Sequence, residues 1–88
     1  MTHESLVRAA ESIRAAADAA TGERIVGRLH EQADAIEGLA DRNPDHGRMA
    51  RHESKLHDLA DGEGAAVADN VNEALSHIHA YRETVEGV

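Results

Sequence analysis

Apolar residues recur at intervals of three and four through almost the whole chain, and that spacing points to an all-helical fold. Leu6, Ala9, Ala10, Ile13, Ala16, Ala17 and Ala20 lie on one face of a helix over residues 3–20. Ile25, Val26, Leu29, Ala33, Ile36, Leu39 and Ala40 make a second stripe that runs to about Asp41. Met49, Leu56, Leu59 and Ala60 mark a third helix over 44–60, with His52 on the same side. Val67, Ala68, Val71, Ala74, Leu75, Ile78, Tyr81 and Val85 mark a fourth over 65–85. The two-residue alternation of a half-buried strand is nearly absent.

Punctuation between the stripes sets the expected ends. Thr2 is a candidate N-cap for the first helix, with Glu4 in its first turn, where a carboxylate meets the positive end of the helix dipole. Thr21 is a candidate cap for the second. Asn43-Pro44 reads as N-cap and N1 of the third, because the missing N–H of proline would be unbonded there anyway. Asp61-Gly62-Glu63-Gly64 closes the third helix, and Gly87 is placed just past the end of the fourth. Connections this short bring consecutive helices together as antiparallel neighbours. The predicted architecture is an antiparallel four-helix up-and-down bundle, two helical hairpins in tandem, in a single domain over 1–88.

The core available to such a bundle is small. The 88 residues include no Phe, no Trp and one Tyr, Tyr81. A monomer core must rest on Leu6, Ile13, Ile25, Leu29, Ile36, Leu39, Met49, Leu56, Leu59, Val71, Leu75 and Ile78, with alanine filling the gaps. Ala adds little buried area, and domains of this size have little to spare. A thin core of this kind predicts a homodimer.

Charge narrows the setting. Asp and Glu number 17 against 9 Lys and Arg, a formal net charge of -8, and Lys55 is the one lysine. Self-repulsion of that size opposes folding unless salt screens it. An acidic, alanine-rich, lysine-poor composition therefore points to a halophilic cytoplasm. With no cysteine, disulfides and thiolate chemistry are excluded. The first residues, MTHESLVRAAES, carry charges and no long apolar run, and no stretch reaches the roughly 20 apolar residues of a membrane span. A cytoplasmic protein is the expectation.

Seven histidines in this length invite a metal reading. His30/Asp34, Glu53/His57, Glu73/His77 and His79/Glu83 are each four apart, so each pair predicts an exposed ion pair on one helix face. No helix carries His-x-x-x-His, and the Glu-x-x-His pattern of di-iron bundles is missing. Glu53/His57 and Glu73/His77 would make a mixed site only by converging across a helix pair. His57-Asp58 resembles the paired ligands of metal-dependent phosphohydrolases, which need a much longer chain. The expectation is no metal, no cofactor and no enzyme: the chain has no glycine-rich phosphate loop, no nucleophile context and little volume for a deep pocket.

The basic residues gather instead. Arg42, Arg48, Arg51 and Lys55 are four of the nine, all between 42 and 58. Arg48, Arg51 and Lys55 stand at i, i+3 and i+7, one stripe of the third helix turned away from Met49, Leu56 and Leu59. His52 borders it. Arg48, Arg51, His52 and Lys55 are the candidate interaction residues. Nucleic acid is not expected, because the remaining surface repels phosphates and Tyr81 is the lone aromatic for stacking.

PDHGRMARHESKLHDLAD in the middle and HAYRETVEGV at the end resemble members of a family of small uncharacterised haloarchaeal proteins, and the resemblance covers the whole chain. It carries no assigned activity and so brings no site residues. It implies a halophilic cytoplasm. The sequence thus leads to a non-catalytic protein-interaction module, with a small metal- or anion-binding protein using the His/Arg face of the third helix as the alternative.

Overall fold

The computed structural model describes residues 2–86, and these form four helices with no strand among them. They are α1 (Glu4–Ala19), α2 (Glu23–Leu39), α3 (His46–Ala60) and α4 (Ala65–Arg82). α1 packs extensively against both α4 and α2. α3 packs on α4 and, least extensively of all pairs, on α2. Within the described residues α1 does not approach α3, nor α2 approach α4. Each helix thus has two neighbours around one core, which is the packing of a bundle.

The core centres on α1. Leu6, Ala9, Ala10, Ile13, Ala16 and Ala17 are buried there, so this helix meets its neighbours largely through methyl groups. Small faces let the helix axes approach closely, and Leu29, Ile36, Leu56, Val71 and Ile78 fill the space left between them. α3 is the peripheral member and buries two of its residues, Met49 and Leu56. Of the apolar residues expected inside, Ile25 and Leu59 are only partly buried. Ile25 is on α2 and Leu59 on α3, the pair of helices with the least extensive contact.

The helix ends differ from expectation, at α1 and α3 because a distant residue claims the capping group. α1 has His3, not Thr2, at its N-cap. The Thr2 hydroxyl instead donates to Asp41 Oδ1 at 2.6 Å, just beyond α2. α2 is preceded by Gly22 rather than Thr21 at the N-cap. α3 starts two residues later than Pro44, with Asp45 at the N-cap accepting a 2.8 Å bond from the Arg48 N–H. The Asn43 Oδ1 is taken by His3 Nε2 at 2.9 Å, which leaves Asp45 to cap. α4 stops at Arg82, short of Val85, where the Thr84 hydroxyl donates 2.6 Å to the Tyr81 carbonyl. Gly87 lies outside the described residues. Gly62 holds φ +82°, the left-handed geometry that makes glycine the natural residue in the α3–α4 turn.

Two ends of helices are tied together at one place. His3 N–H donates 2.7 Å to the Ala40 carbonyl, and the His3 ring meets Tyr81 edge-on at 4.8 Å. The Tyr81 hydroxyl is buried and donates 2.7 Å to the Pro44 carbonyl. Burial, with the charge of Asp45 behind it, raises the pKa of this phenol.

Candidate functional site

α3 presents Arg48, Arg51 and Lys55 to solvent, with His52 half-buried beside them. The i, i+3, i+7 spacing does place these side chains together: Arg48, Arg51, His52 and Lys55 line an open depression of about 220 Å³. Arg42, on the α2–α3 connection, shares a second hollow with Arg48.

α2 completes the surface. His52 Nδ1 lies 2.7 Å from Gln32 Oε1, so Nδ1 donates and Nε2 is the nitrogen left free. Arg28, Glu31 and Gln32 of α2 face Lys55, Asp58 and Leu59 of α3 across a further depression of about 250 Å³. Lys55 borders both hollows, so they meet at that side chain, and together they are the α2/α3 groove. Arg28 and Gln32 were not singled out in the sequence. Their i, i+4 spacing on the second helix puts them on one face, but nothing local says that this face meets the third helix.

The electrostatics of the groove are uneven. Arg8 pairs with Glu4, Arg14 with Asp34 and Glu37, and Arg82 with Glu53. Among the described residues the other six cations, Arg24, Arg28, Arg42, Arg48, Arg51 and Lys55, have no carboxylate within ion-pair distance, and all six lie on α2, α3 or the connection between them. Three of them, Lys55, Arg48 and Arg51, act on His52. Partial burial first, and then the charges of Lys55, Arg48 and Arg51, lower its pKa from the usual 6.5.

The histidine pairs read along single helices mostly give way to pairs between helices. Glu53 bonds across to α4, to Arg82 Nη1 at 2.7 Å and His79 Nε2 at 2.9 Å, rather than to His57. Arg82 Nε also donates 3.1 Å to His46 Nδ1, and His46 Nε2 donates 3.2 Å to the Val85 carbonyl. Glu53 is half-buried at the α3/α4 seam, where the bonds from Arg82 and His79 offset the desolvation of its carboxylate. Burial pushes its carboxyl up, but the bonds from Arg82 and His79 outweigh this and hold its pKa below the ordinary value. Asp34 likewise takes Arg14 in place of His30. Glu73/His77 alone keeps its expected partner, at 4.0 Å.

Glu53/His57 and Glu73/His77 do not converge. Glu53 faces His79 and Arg82, whereas His77 lines a hollow with Glu4, Arg8 and Glu11 of α1. Among the described residues no three His, Asp or Glu side chains come together as a metal ion would need. The Glu53–Arg82–His46–His79 cluster is internally bonded and serves as a clasp between the start of α3 and the end of α4. No described helix is long and apolar enough to cross a membrane.

No curated protein and no solved structure matches the chain at a significant level. A family model matches residues 1–84, nearly its whole length. The chain therefore belongs to a family of unknown function, DUF7553.

Proposed function

We propose that this is a non-catalytic protein-interaction module of a halophilic cytoplasm, working through the α2/α3 face. One observation carries the reading: in an acidic chain six cations have no carboxylate partner among the described residues, and all six belong to α2, α3 or their connection. A cationic cluster on an otherwise acidic surface is electrostatically complementary to an acidic partner, which supports the reading. The α2/α3 hollows are open and shallow, unlike the enclosed pockets that exclude water for catalysis. Replacing Arg48, Arg51 and Lys55 together by Ala tests the proposal. The helical circular dichroism spectrum stays intact and capture of partners from native high-salt lysate is lost. A triple variant that retains every partner of the wild type overturns it.

The topology is an antiparallel up-and-down bundle. Supporting it, the start of α1 bonds the end of α2 through His3 and Ala40. The end of α4 bonds the residues ahead of α3 through Tyr81 and Pro44. The small alanine-rich core supports a homodimer, to be read by sedimentation at micromolar concentration in high salt. A strict monomer at about 100 micromolar, well above the dissociation constants of stable dimers, overturns that part.

A second reading has its own support. The depression lined by Arg48, Arg51, His52 and Lys55 gathers three cations and an imidazole around one space, which suits an anion. In this reading the protein is a small anion binder on the same helix face.

A further inference from the structure

We infer that the α2/α3 groove is a docking site for an acidic peptide segment that carries an apolar residue, seated on Leu59 between Arg28 and Lys55. This rests on the interaction-module reading and names the chemistry of its partner.

Three features select that occupant. The first is length. Arg48 and Lys55 stand seven residues apart, about 10 Å along the helix, and Leu59 lies about 16 Å from Arg48. A small anion held by Arg48, Arg51 and Lys55 leaves Arg28 in the adjoining hollow without a counter-charge, whereas carboxylates spaced along a peptide reach both hollows. The second is the floor. Leu59 is a partly buried apolar side chain in the wall of the groove, where α2 and α3 pack least tightly. An apolar residue of the partner gains burial there that a bare polyanion does not. The third is Glu31 and Asp58, which stand in the same hollow as Arg28 and Lys55. These carboxylates offset Arg28 and Lys55 locally, which disfavours an unbroken phosphate backbone more than a peptide whose carboxylates are interrupted by uncharged residues. Tyr81, the lone aromatic, is buried in the core and bonded to Pro44, so it offers no base a stacking surface.

His52 reports on the occupied groove. Lys55, Arg48 and Arg51 face it from α3, and the neutral Gln32 holds its Nδ1 from α2, with Arg28 and Glu31 in the adjoining hollow. Burial is the first cause of the lowered His52 pKa and the three cations the second, and carboxylates set against the cations cancel that second cause. Protonation of His52 then becomes easier, and by linkage the peptide binds more tightly as the pH falls towards 6.

The probe is a labelled synthetic peptide of about 12 residues, long enough as a helix to span the groove, with a repeating Glu-Glu-Leu pattern. Binding is followed by fluorescence anisotropy and by the His52 ring resonances in NMR, at about 0.15 M KCl, where charges still interact over about 8 Å. The peptide binds the full chain and moves the His52 titration upward. Arg51→Glu with Lys55→Glu weakens binding about tenfold or more, roughly 1.4 kcal/mol or above. Arg8→Glu, on α1, leaves it unchanged. Leu59→Ser weakens the leucine-bearing peptide but not one with Ser in place of Leu. Binding that leaves the His52 titration unmoved places the peptide elsewhere and overturns the inference. Equal or tighter binding of inorganic phosphate or of a single-stranded oligonucleotide overturns it in favour of a phosphate site. Absence of peptide binding, when the Arg48/Arg51/Lys55 triple variant still loses its captured partners, overturns the peptide assignment and leaves the interaction surface standing. Absence of both effects removes the two readings together.

Discussion

The Tyr81 hydroxyl donates a 2.7 Å hydrogen bond to the Pro44 carbonyl, which joins the last turn of α4 to the residue that precedes the α3 cap. Both residues are buried, so water has little access to replace the bond. Tyr81→Phe keeps the ring and its edge contact with His3 but removes the donor. We expect a loss of about 1–2 kcal/mol in chemical denaturation, the cost of leaving a buried carbonyl unsatisfied. An unchanged midpoint would mean that the bond contributes nothing beyond what water supplies.

Leu56 and Arg51 are both on α3, but they test opposite faces. Leu56 is fully buried, and Leu56→Ala removes about 2–5 kcal/mol, a large share of the stability of a domain this small. Arg51 is exposed and has no carboxylate partner among the described residues, and Arg51→Ala costs well under about 1 kcal/mol. Urea denaturation of the two single variants measures both. Equal losses would contradict the assigned orientation of α3.

Two pH windows separate His52 from Glu53. His52 has a folded pKa below its unfolded value near 6.5, so the folded state holds that proton less tightly. Its contribution is fully present above the unfolded pKa and is lost as the pH falls through the folded one. Glu53 also has a lowered pKa, and its contribution is present above the ordinary 4.5 and is lost at lower pH. The thermal midpoint is expected to decline first below about pH 6.5 and again below about pH 4.5. His52→Gln removes the first decline and Glu53→Gln the second. A first decline that persists unaltered in His52→Gln would assign it to another group.

Salt acts on the whole surface. Between about 0.1 M and 3 M KCl the Debye length falls from about 10 Å to below 3 Å. Repulsion among 17 carboxylates, and among the six clustered cations, is screened over that range. The few exposed ion pairs, such as Arg8–Glu4, lose little in exchange. The thermal midpoint should rise clearly with KCl. A midpoint independent of salt removes the halophilic reading.

The sequence by itself determined what depends on local spacing. The three-and-four repeat placed Leu6, Ile13, Leu29, Ile36, Met49, Leu56 and Ile78 inside, and all are buried. The same periodicity put Arg48, Arg51 and Lys55 on one exposed stripe, because position around a helix follows from sequence separation alone. Tertiary structure decided whatever is a competition between partners far apart in the chain. Asn43 and Thr2 are good caps by composition, but His3 and Asp41 take their side chains, and Asp45 caps α3 instead. Glu53 leaves His57 for Arg82 and His79 because the α3/α4 seam brings those donors to a carboxylate that has little access to water. Arg28 and Gln32 join the groove, and Leu59 remains partly open, because α2 and α3 meet loosely. Helical periodicity states which way a side chain points. Only the packing of one helix on another states what it meets there.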